Sequence, residues 1–149
     1  MIRINFKEQI VKDETGREII SFEKAKALPT RSCYSVINPN HEKIGKIEKS
    51  RYNFGLVDLP KIDISINGDK ITIRKDMQEL KEVYEITGSG FSIIGDFTGP
   101  HFNISKNEKV IASVTIDKEE TDNSYLVDII NKSNENHIIC ILFALSWII

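Results

Sequence analysis

The sequence predicts a mainly β fold, in which a closed antiparallel barrel of about twelve strands encloses a hydrophobic C-terminal α-helix. Three observations support this. Short segments with alternating apolar and polar residues recur along most of the chain, turn-forming residues separate them, and the final run Ile138–Ile149 is almost entirely apolar. Alternation with a period of two is typical of strands that bury one face. Short strands at regular spacing, with turns between them, indicate a sandwich or a barrel.

Length and composition set the frame for this prediction. A chain of 149 residues fits one domain, 1–149. The formal net charge is −2, from 20 basic and 22 acidic residues, which argues against a general nucleic-acid binder but still allows a local basic patch. The N-terminal residues Met1–Asn5 contain no apolar signal region, so we expect a cytoplasmic protein. Cys33 and Cys140 are expected to be buried, reduced thiols.

The strongest local prediction is a β-hairpin in the middle of the chain. Ile62–Ile66 and Lys70–Arg74 both alternate apolar and polar residues, and Asn67-Gly68 lies between them. A type I′ turn needs positive φ at both central positions, and Asn-Gly is the favoured pair there. We therefore expect two antiparallel strands joined by a tight turn.

Ten further segments have strand-like patterns, and Gly, Pro, Asn and Asp residues lie between most of them. They are Ile2–Lys12, Arg17–Glu23, Ser32–Ile37, Lys43–Lys49, Tyr52–Val57, Glu82–Thr87, Phe91–Gly95, His101–Ser105, Lys109–Ile116 and Ser124–Ile130. With the hairpin, this makes about twelve strands. A helical turn is also expected over Glu23–Leu28, before Pro29.

The C-terminal run differs from the rest of the chain. Ser133 or Asn134 is a candidate N-cap, and Glu135 favours the first helical turn, so we expect a helix over about 135–149. A helix that is apolar all round is buried all round. Five of the twelve residues in Ile138–Ile149 are isoleucine, which keeps a buried strand as an alternative, although the length favours a helix. The run is shorter than the roughly 20 residues that a membrane-spanning helix needs, so a truncated membrane anchor is the less favoured alternative.

The dimensions of a helix and a barrel connect these two predictions. Side chains alone fill a barrel of about eight strands, whereas a wider barrel has a lumen. An α-helix is about 10–12 Å across, and twelve residues of it span about 18 Å. A six-residue strand spans about 20 Å. The helix therefore fits along the axis of the barrel.

The second half of the chain contains a characteristic series of segments. They are Tyr84–Gly88, Phe91–Phe97, Phe102–Ile104, Val110–Val114, Tyr125–Ile129 and the apolar C-terminal run. With these segments, roughly residues 62–149 resemble the LURP-one-related proteins of the tubby C-terminal-like superfamily, which also includes the phospholipid scramblases. The resemblance implies a twelve-stranded barrel around a central C-terminal helix. Tubby-like members imply a phosphoinositide-dependent membrane adaptor, scramblase-like members imply an association with lipids and calcium, and bacterial LURP-one-like members imply no particular activity.

Evidence for catalysis is weak. His41, His101 and His137 are far apart in sequence and lack the spacing of metal ligands. The sequence has no nucleophile or phosphate-loop motif, and Gly88-Ser89-Gly90 is read as a turn. We therefore expect no catalytic residues, no metal and no cofactor.

Two further features leave alternatives open. A pocket near Asp96 and His101 would support a small-molecule carrier or an enzyme, although Asp96 is more simply explained by hydrogen bonds to backbone groups in the turn to Gly99. The acidic segment Asp117–Asp122 invites a comparison with calcium sites. It lacks the spacing of an EF-type loop and is read as a solvated hairpin loop.

A group of basic residues is the main candidate for binding. If they share a surface, they form a patch for an anionic lipid headgroup, since each basic residue near an anionic membrane contributes about 1 kcal/mol. Ordinary alternating charge on exposed strands is the simpler interpretation. The residues are Lys43, Lys46, Lys49, Arg51, Lys70, Arg74 and Lys75.

Together these observations predict a non-catalytic binding or scaffold module of the tubby-like, LURP-one-related class. Its expected partner is an anionic lipid headgroup or a protein at the barrel surface, with no nucleic-acid partner and no transmembrane span. We expect it in the cytoplasm, peripheral at a membrane. The alternatives are the carrier or enzyme with a pocket near Asp96 and His101, and a scramblase-like membrane-associated lipid protein.

Overall fold

A computed structural model describes residues 1–26, 31–54, 57–78, 81–97, 99–117 and 124–148, and the side chains of these residues except 51–54, 57–60, 75–78, 81–84 and 148. This part of the chain contains twelve strands, one short 3₁₀ segment (Lys132–Asn134) and one α-helix, α1 (Glu135–Ile148). The strands are β1 (Ile2–Ile4), β2 (Ile10–Lys12), β3 (Glu18–Ala25), β4 (Arg31–Ile37), β5 (Lys43–Phe54), β6 (Val57–Ile66), β7 (Asp69–Gln78), β8 (Lys81–Thr87), β9 (Phe91–Ile94), β10 (His101–Lys106), β11 (Lys109–Asp117) and β12 (Ser124–Ile129).

The strands form two antiparallel sheets. The five-stranded sheet has the order β1-β12-β11-β10-β9, and the seven-stranded sheet runs from β2 to β8 in chain order. Where the sheets meet, β1 lies near β2 and β8 lies near β9, but the ladders of the described residues do not join them. The mainly β fold with its C-terminal helix is confirmed, whereas the expected closure of the strands into one barrel is not shown by these ladders.

Helix α1 lies at the centre of the hydrophobic core. Eight consecutive residues, Ile138–Leu145, are buried, and Phe143 has the largest exposed fraction among them at 8%. Eight residues make more than two helical turns, so every face of this part of the helix is covered. The inward-facing side chains of both sheets cover it, including Ile20, Ile62 and Val127. The predicted burial of the apolar run is therefore confirmed over these eight residues.

The central hairpin forms as predicted. Strand β6 pairs with β7, and Ile64 is opposite Ile71. Asn67 has φ of 49° and Gly68 has φ of 84°, as a type I′ turn requires.

The strand predictions need two corrections. The segment Ile2–Lys12 was expected to be one strand, but it contains β1 and β2, which belong to different sheets. The side chain of Asn5 accepts a hydrogen bond from the backbone N–H of Lys7 (3.0 Å), and its carbonyl accepts one from Glu8 (3.1 Å). This local turn interrupts the strand. Conversely, β5 is continuous over Lys43–Phe54, where two strands were expected.

The start of the helical region also differs from the prediction. Asn131, and neither Ser133 nor Asn134, caps it, because the Asn131 side chain accepts a hydrogen bond from the backbone N–H of Ser133 at 3.1 Å. A 3₁₀ turn follows before α1 begins at Glu135. The predicted helical turn at Glu23–Leu28 is wrong for its first three residues, which belong to β3, and residues 27 and 28 lie outside the described part.

Candidate functional site

The outer face of the seven-stranded sheet carries charged residues in rows that run across β5, β6 and β7. Opposite residues of an antiparallel pair project to the same face. Lys46 pairs with Ser65, and Ser65 pairs with Lys70. Ser65 lies between two fully buried isoleucines of β6, so it faces outwards and the two lysines share its face. We call Lys46, Ser65 and Lys70 the lysine row.

The next row along the strands is acidic. Glu48 pairs with Asp63, and Asp63 pairs with Thr72. The hydroxyl group of Thr72 donates a hydrogen bond of 3.0 Å to Asp63 Oδ1. We call Glu48, Asp63 and Thr72 the carboxylate row. Residues two apart on a strand are about 7 Å apart, so the two rows lie side by side.

Basic residues on the far side of the carboxylate row partly neutralise it. Arg31 donates to Glu48 Oε1 at 3.1 Å, and Lys61 Nζ is 3.7 Å from Asp63 Oδ2. The side chains of Glu48 and Asp63 are 25% and 43% exposed. Both carboxylates therefore have a cation on one side and remain open to solvent.

The positive charges of the lysine row are less neutralised by ion pairs than the negative charges of the carboxylate row. Lys46 and Lys70 are exposed, and neither forms an ion pair with a carboxylate of the described residues. A shallow groove of about 250 Å³ extends over both rows and is lined by Lys46, Glu48, Asp63, Ile64, Ser65, Lys70, Ile71 and Thr72. The groove has ammonium groups on one side and carboxylates on the other.

Lys49 does not belong to this surface, which corrects its expected place in the basic patch. It pairs with Ile62, which is fully buried, so its side chain projects inwards. Its ammonium group donates to the backbone carbonyl of Trp147 at 3.2 Å and lies 5.6 Å from the centre of the Trp147 ring. A cation near the last carbonyl groups of a helix is favourable because of the helix dipole. Lys49 therefore stabilises the end of α1.

The other predicted basic residues are spread over the sheet. Lys43 is exposed at the start of β5, and Arg74 is exposed and pairs with Lys61 beyond the carboxylate row. The side chains of Arg51 and Lys75 lie outside the described part of the structure. Of the seven predicted residues, the structure thus places Lys46 and Lys70 together in the groove.

Asp96 and His101 are both exposed. His101 Nδ1 is 3.1 Å from the hydroxyl oxygen of Thr115, and the backbone N–H of Gly99 donates to the carbonyl oxygen of Asp96 at 3.0 Å. Neither residue lines the groove or the second cleft, which has about 500 Å³ and lies between β1 and the β2–β3 turn. A pocket at Asp96 and His101 therefore stays a hypothesis.

Sequence reasoning missed a pair between the central helix and the hairpin. His137 in α1 is 7% exposed, and its Nε2 is 2.8 Å from Asp69 Oδ2 at the start of β7. A carboxylate only accepts, so Nε2 carries the hydrogen. This hydrogen bond is the main cause that lowers the pKa of Asp69 from its usual value of 3.8. The two residues are 68 positions apart, so no local sequence signal could have identified the pair.

This pair is not arranged for catalysis. His137 stacks on Phe91 with 5.4 Å between ring centres, and its Nδ1 is buried and has no hydrogen-bond partner among the described residues. A general base needs to reach the proton that it removes, and Nδ1 is closed to solvent. The contact instead ties the β6–β7 hairpin to the helix.

Neither cysteine is exposed, and the described residues contain no metal cluster. Cys33 and Cys140 are free and buried, as expected, and burial raises the pKa of the Cys140 thiol well above its usual range. No group of three or more His, Cys, Asp or Glu side chains in the described part could hold a metal ion. Asp117 forms an ion pair with Arg3 at 3.1 Å, and the rest of the acidic segment lies outside the described residues. Calcium binding there stays a hypothesis.

Within the described ranges, no helix combines the length and the apolar character that are needed to cross a bilayer. Helix α1, which contains the apolar C-terminal run, has 14 residues.

Comparison with models of known families identifies the family of this chain. The family model for LURP-one-related proteins matches residues 3–146, which is nearly the whole chain. The chain belongs to the LURP-one-related family. The resemblance seen in residues 62–149 therefore extends through the N-terminal half of this LURP-one-related protein. No curated protein and no solved structure matches the chain at a significant level.

Proposed function

We propose that this LURP-one-related protein is a non-catalytic binding module that holds an anionic group at the lysine row. The observation that carries the proposal is the pair Lys46 and Lys70, which flank the Ser65 hydroxyl and have no carboxylate partner among the described residues. Two ammonium groups and one hydroxyl group can all donate hydrogen bonds to a phosphate or a carboxylate.

The position of α1 supports an external site. Ligand sites in β-barrels are commonly in the lumen, but here the inward side chains and α1 form one packed core. Binding on the outer face of the seven-stranded sheet is then the natural alternative. As part of the same proposal, the two sheets act as one barrel wall around α1, since β1 lies near β2 and β8 near β9.

The favoured partner is an anionic lipid headgroup. The lysine row lies on an open sheet face, where a flat membrane surface has access, and the site needs no deep pocket. An acidic protein segment is the second candidate partner. The proposal implies a protein in the cytoplasm that is peripheral at a membrane.

Co-sedimentation with vesicles tests this function. The protein is expected to bind vesicles that contain phosphatidylserine and not vesicles of phosphatidylcholine alone. Because each lysine near an anionic membrane contributes about 1 kcal/mol, Lys46→Gln/Lys70→Gln should weaken binding roughly 30-fold. Lys24→Gln/Lys109→Gln is the matched control, since it removes the same charge at exposed positions elsewhere.

The outcomes are distinct. If the wild-type protein does not bind anionic vesicles, the lipid branch of the proposal is wrong. If both double variants lose binding equally, the protein responds to net charge and the lysine row is not a site.

A further inference from the structure

The groove over the lysine row has a second chemical feature. Its other side is formed by the carboxylates of Glu48 and Asp63, which lie one row away from the two lysines. A ligand with only negative charge would be attracted by one side of the groove and repelled by the other. The whole groove is complementary to a ligand that carries both charges.

We propose that the groove binds a zwitterion, with a phosphate group at Lys46 and Lys70 and an ammonium group at Glu48 and Asp63. This inference rests on the proposed function and specifies its ligand. Lipid headgroups with an amine and free phosphorylated amines share this chemistry.

The carboxylates have the capacity for such a contact. Arg31 contacts one oxygen of Glu48, Oε1, and Asp63 accepts from Thr72 at Oδ1 and faces Lys61 at Oδ2. Two carboxylate oxygens offer about four acceptor positions, so these contacts leave room for an ammonium donor. The basic neighbours also hold the two side chains in place, which lowers the conformational entropy that a ligand has to overcome on binding.

Distances across the rows suit a small ligand. The two rows are about 7 Å apart at the backbone, and the lysine side chains are long enough to bend towards the carboxylates. A two-carbon bridge between the phosphate and the ammonium group fits this separation. Ser65, between Lys46 and Lys70, supplies a hydroxyl donor at the phosphate end.

Two ligands that differ only in the ammonium group provide the test. O-Phosphoethanolamine and ethyl phosphate are titrated into ¹⁵N-labelled protein, and the amide shifts of β5–β7 are followed by NMR. Exposed ion pairs are weak, so the wild-type protein should prefer phosphoethanolamine by about twofold to fivefold. Equal affinity for the two ligands, or no binding of either at millimolar concentration, would overturn the inference.

Removing the negative charges of Glu48 and Asp63 should raise the affinity for ethyl phosphate and abolish the preference for phosphoethanolamine. Glu48→Gln/Asp63→Asn keeps the acceptors for Arg31 and Thr72 but removes both negative charges. Ethyl phosphate should then bind more tightly than it binds the wild type, and the preference for phosphoethanolamine should disappear. Glu108→Gln/Asp128→Asn removes two exposed carboxylates elsewhere and should leave the preference intact. A preference that persists in the groove variant contradicts the inference.

A vesicle arm separates this inference from the proposed function and identifies the source of the ligand. If anionic vesicles bind through Lys46 and Lys70 while the two soluble phosphates bind equally, the anion site stands and the zwitterion inference fails. If phosphoethanolamine is preferred but no vesicle binds, the inference stands for a free ligand and the lipid function fails. A lipid headgroup is supported by two results together. Lys46→Gln/Lys70→Gln abolishes the binding of anionic vesicles, and Glu48→Gln/Asp63→Asn abolishes the preference for phosphoethanolamine.

Discussion

Replacing Phe143 with alanine tests whether α1 is the centre of the core. The Phe143 ring stacks on Phe22 with 4.2 Å between ring centres and an angle of 14°, and it contacts Tyr34 edge-on at 5.1 Å. Phe6 packs on a further side at 5.3 Å. A buried Phe→Ala change costs about 3–5 kcal/mol, and this environment leaves little room for neighbouring side chains to fill the cavity. We therefore expect the upper half of that range.

A second variant separates hydrophobic burial from ring contacts. Phe143→Leu keeps most of the apolar volume but loses the aromatic pairs, so it should cost about 1–2 kcal/mol. Urea unfolding at 25 °C measures both variants. With an m-value of about 2 kcal/mol/M, Phe143→Ala should lower the midpoint by about 2 M.

Ile94→Ala is the control, because Ile94 is also a large apolar residue but is 47% exposed. It should change the free energy of unfolding by less than about 1 kcal/mol. If Phe143→Ala costs less than about 0.5 kcal/mol, or no more than Ile94→Ala, the helix is not the centre of the core.

Two further predictions concern the contacts that hold α1 to the sheets. Lys49→Gln should lower the free energy of unfolding by about 0.5–1.5 kcal/mol, because the Trp147 carbonyl loses a charged donor. The control is Lys46→Gln at an outward-facing position, which should change the free energy of unfolding by less than about 0.5 kcal/mol. Equal effects of the two variants in urea unfolding would mean that the Lys49 side chain does not project inwards. The hydrogen bond from His137 lowers the pKa of Asp69 below 3.8, so the carboxylate stabilises the fold above its usual pKa, and this contribution is lost as the pH falls through the lowered pKa. Asp69→Asn should therefore destabilise the protein at neutral pH and less so in acid, and a constant difference between the two unfolding curves across this pH range would contradict the assignment.

The parts of the fold that the sequence predicted have local causes. Asn67-Gly68 requires positive φ at two positions, and this is enough to set the hairpin and its register. The burial of Ile138–Leu145 follows from composition, since no arrangement of an all-apolar helix leaves a polar face for water. The break at Asn5 also has a local cause, and its signal, an asparagine that can bond the backbone two residues on, was present in the sequence.

The candidate site was predictable only in part. Basic residues on β5 and β7 were visible as a group, but which of them share a face depends on the strand register. The position of Lys49 could have been inferred, since it has the same parity as the buried Ile47 and a period of two places both inside. The pairing of Glu48 with Asp63 depends on the β5–β6 register. Gly55-Leu56 between those strands is a sequence signal for a two-residue hairpin turn, and it was missed because Tyr52–Val57 was read as one strand. The Asp69–His137 contact requires the complete tertiary fold.

The order of the elements along the chain has a consequence for biosynthesis. Both sheets are made before α1, and during translation their inner faces, rich in isoleucine and valine, have no cover until the helix has left the ribosome. Until then the nascent strands expose the kind of surface that leads to aggregation, and chaperones bind such surfaces. Contacts between strands and a helix so far apart in the chain also slow folding. The two sheets and α1 are therefore expected to complete their folding together, as one cooperative event, after α1 has been synthesised.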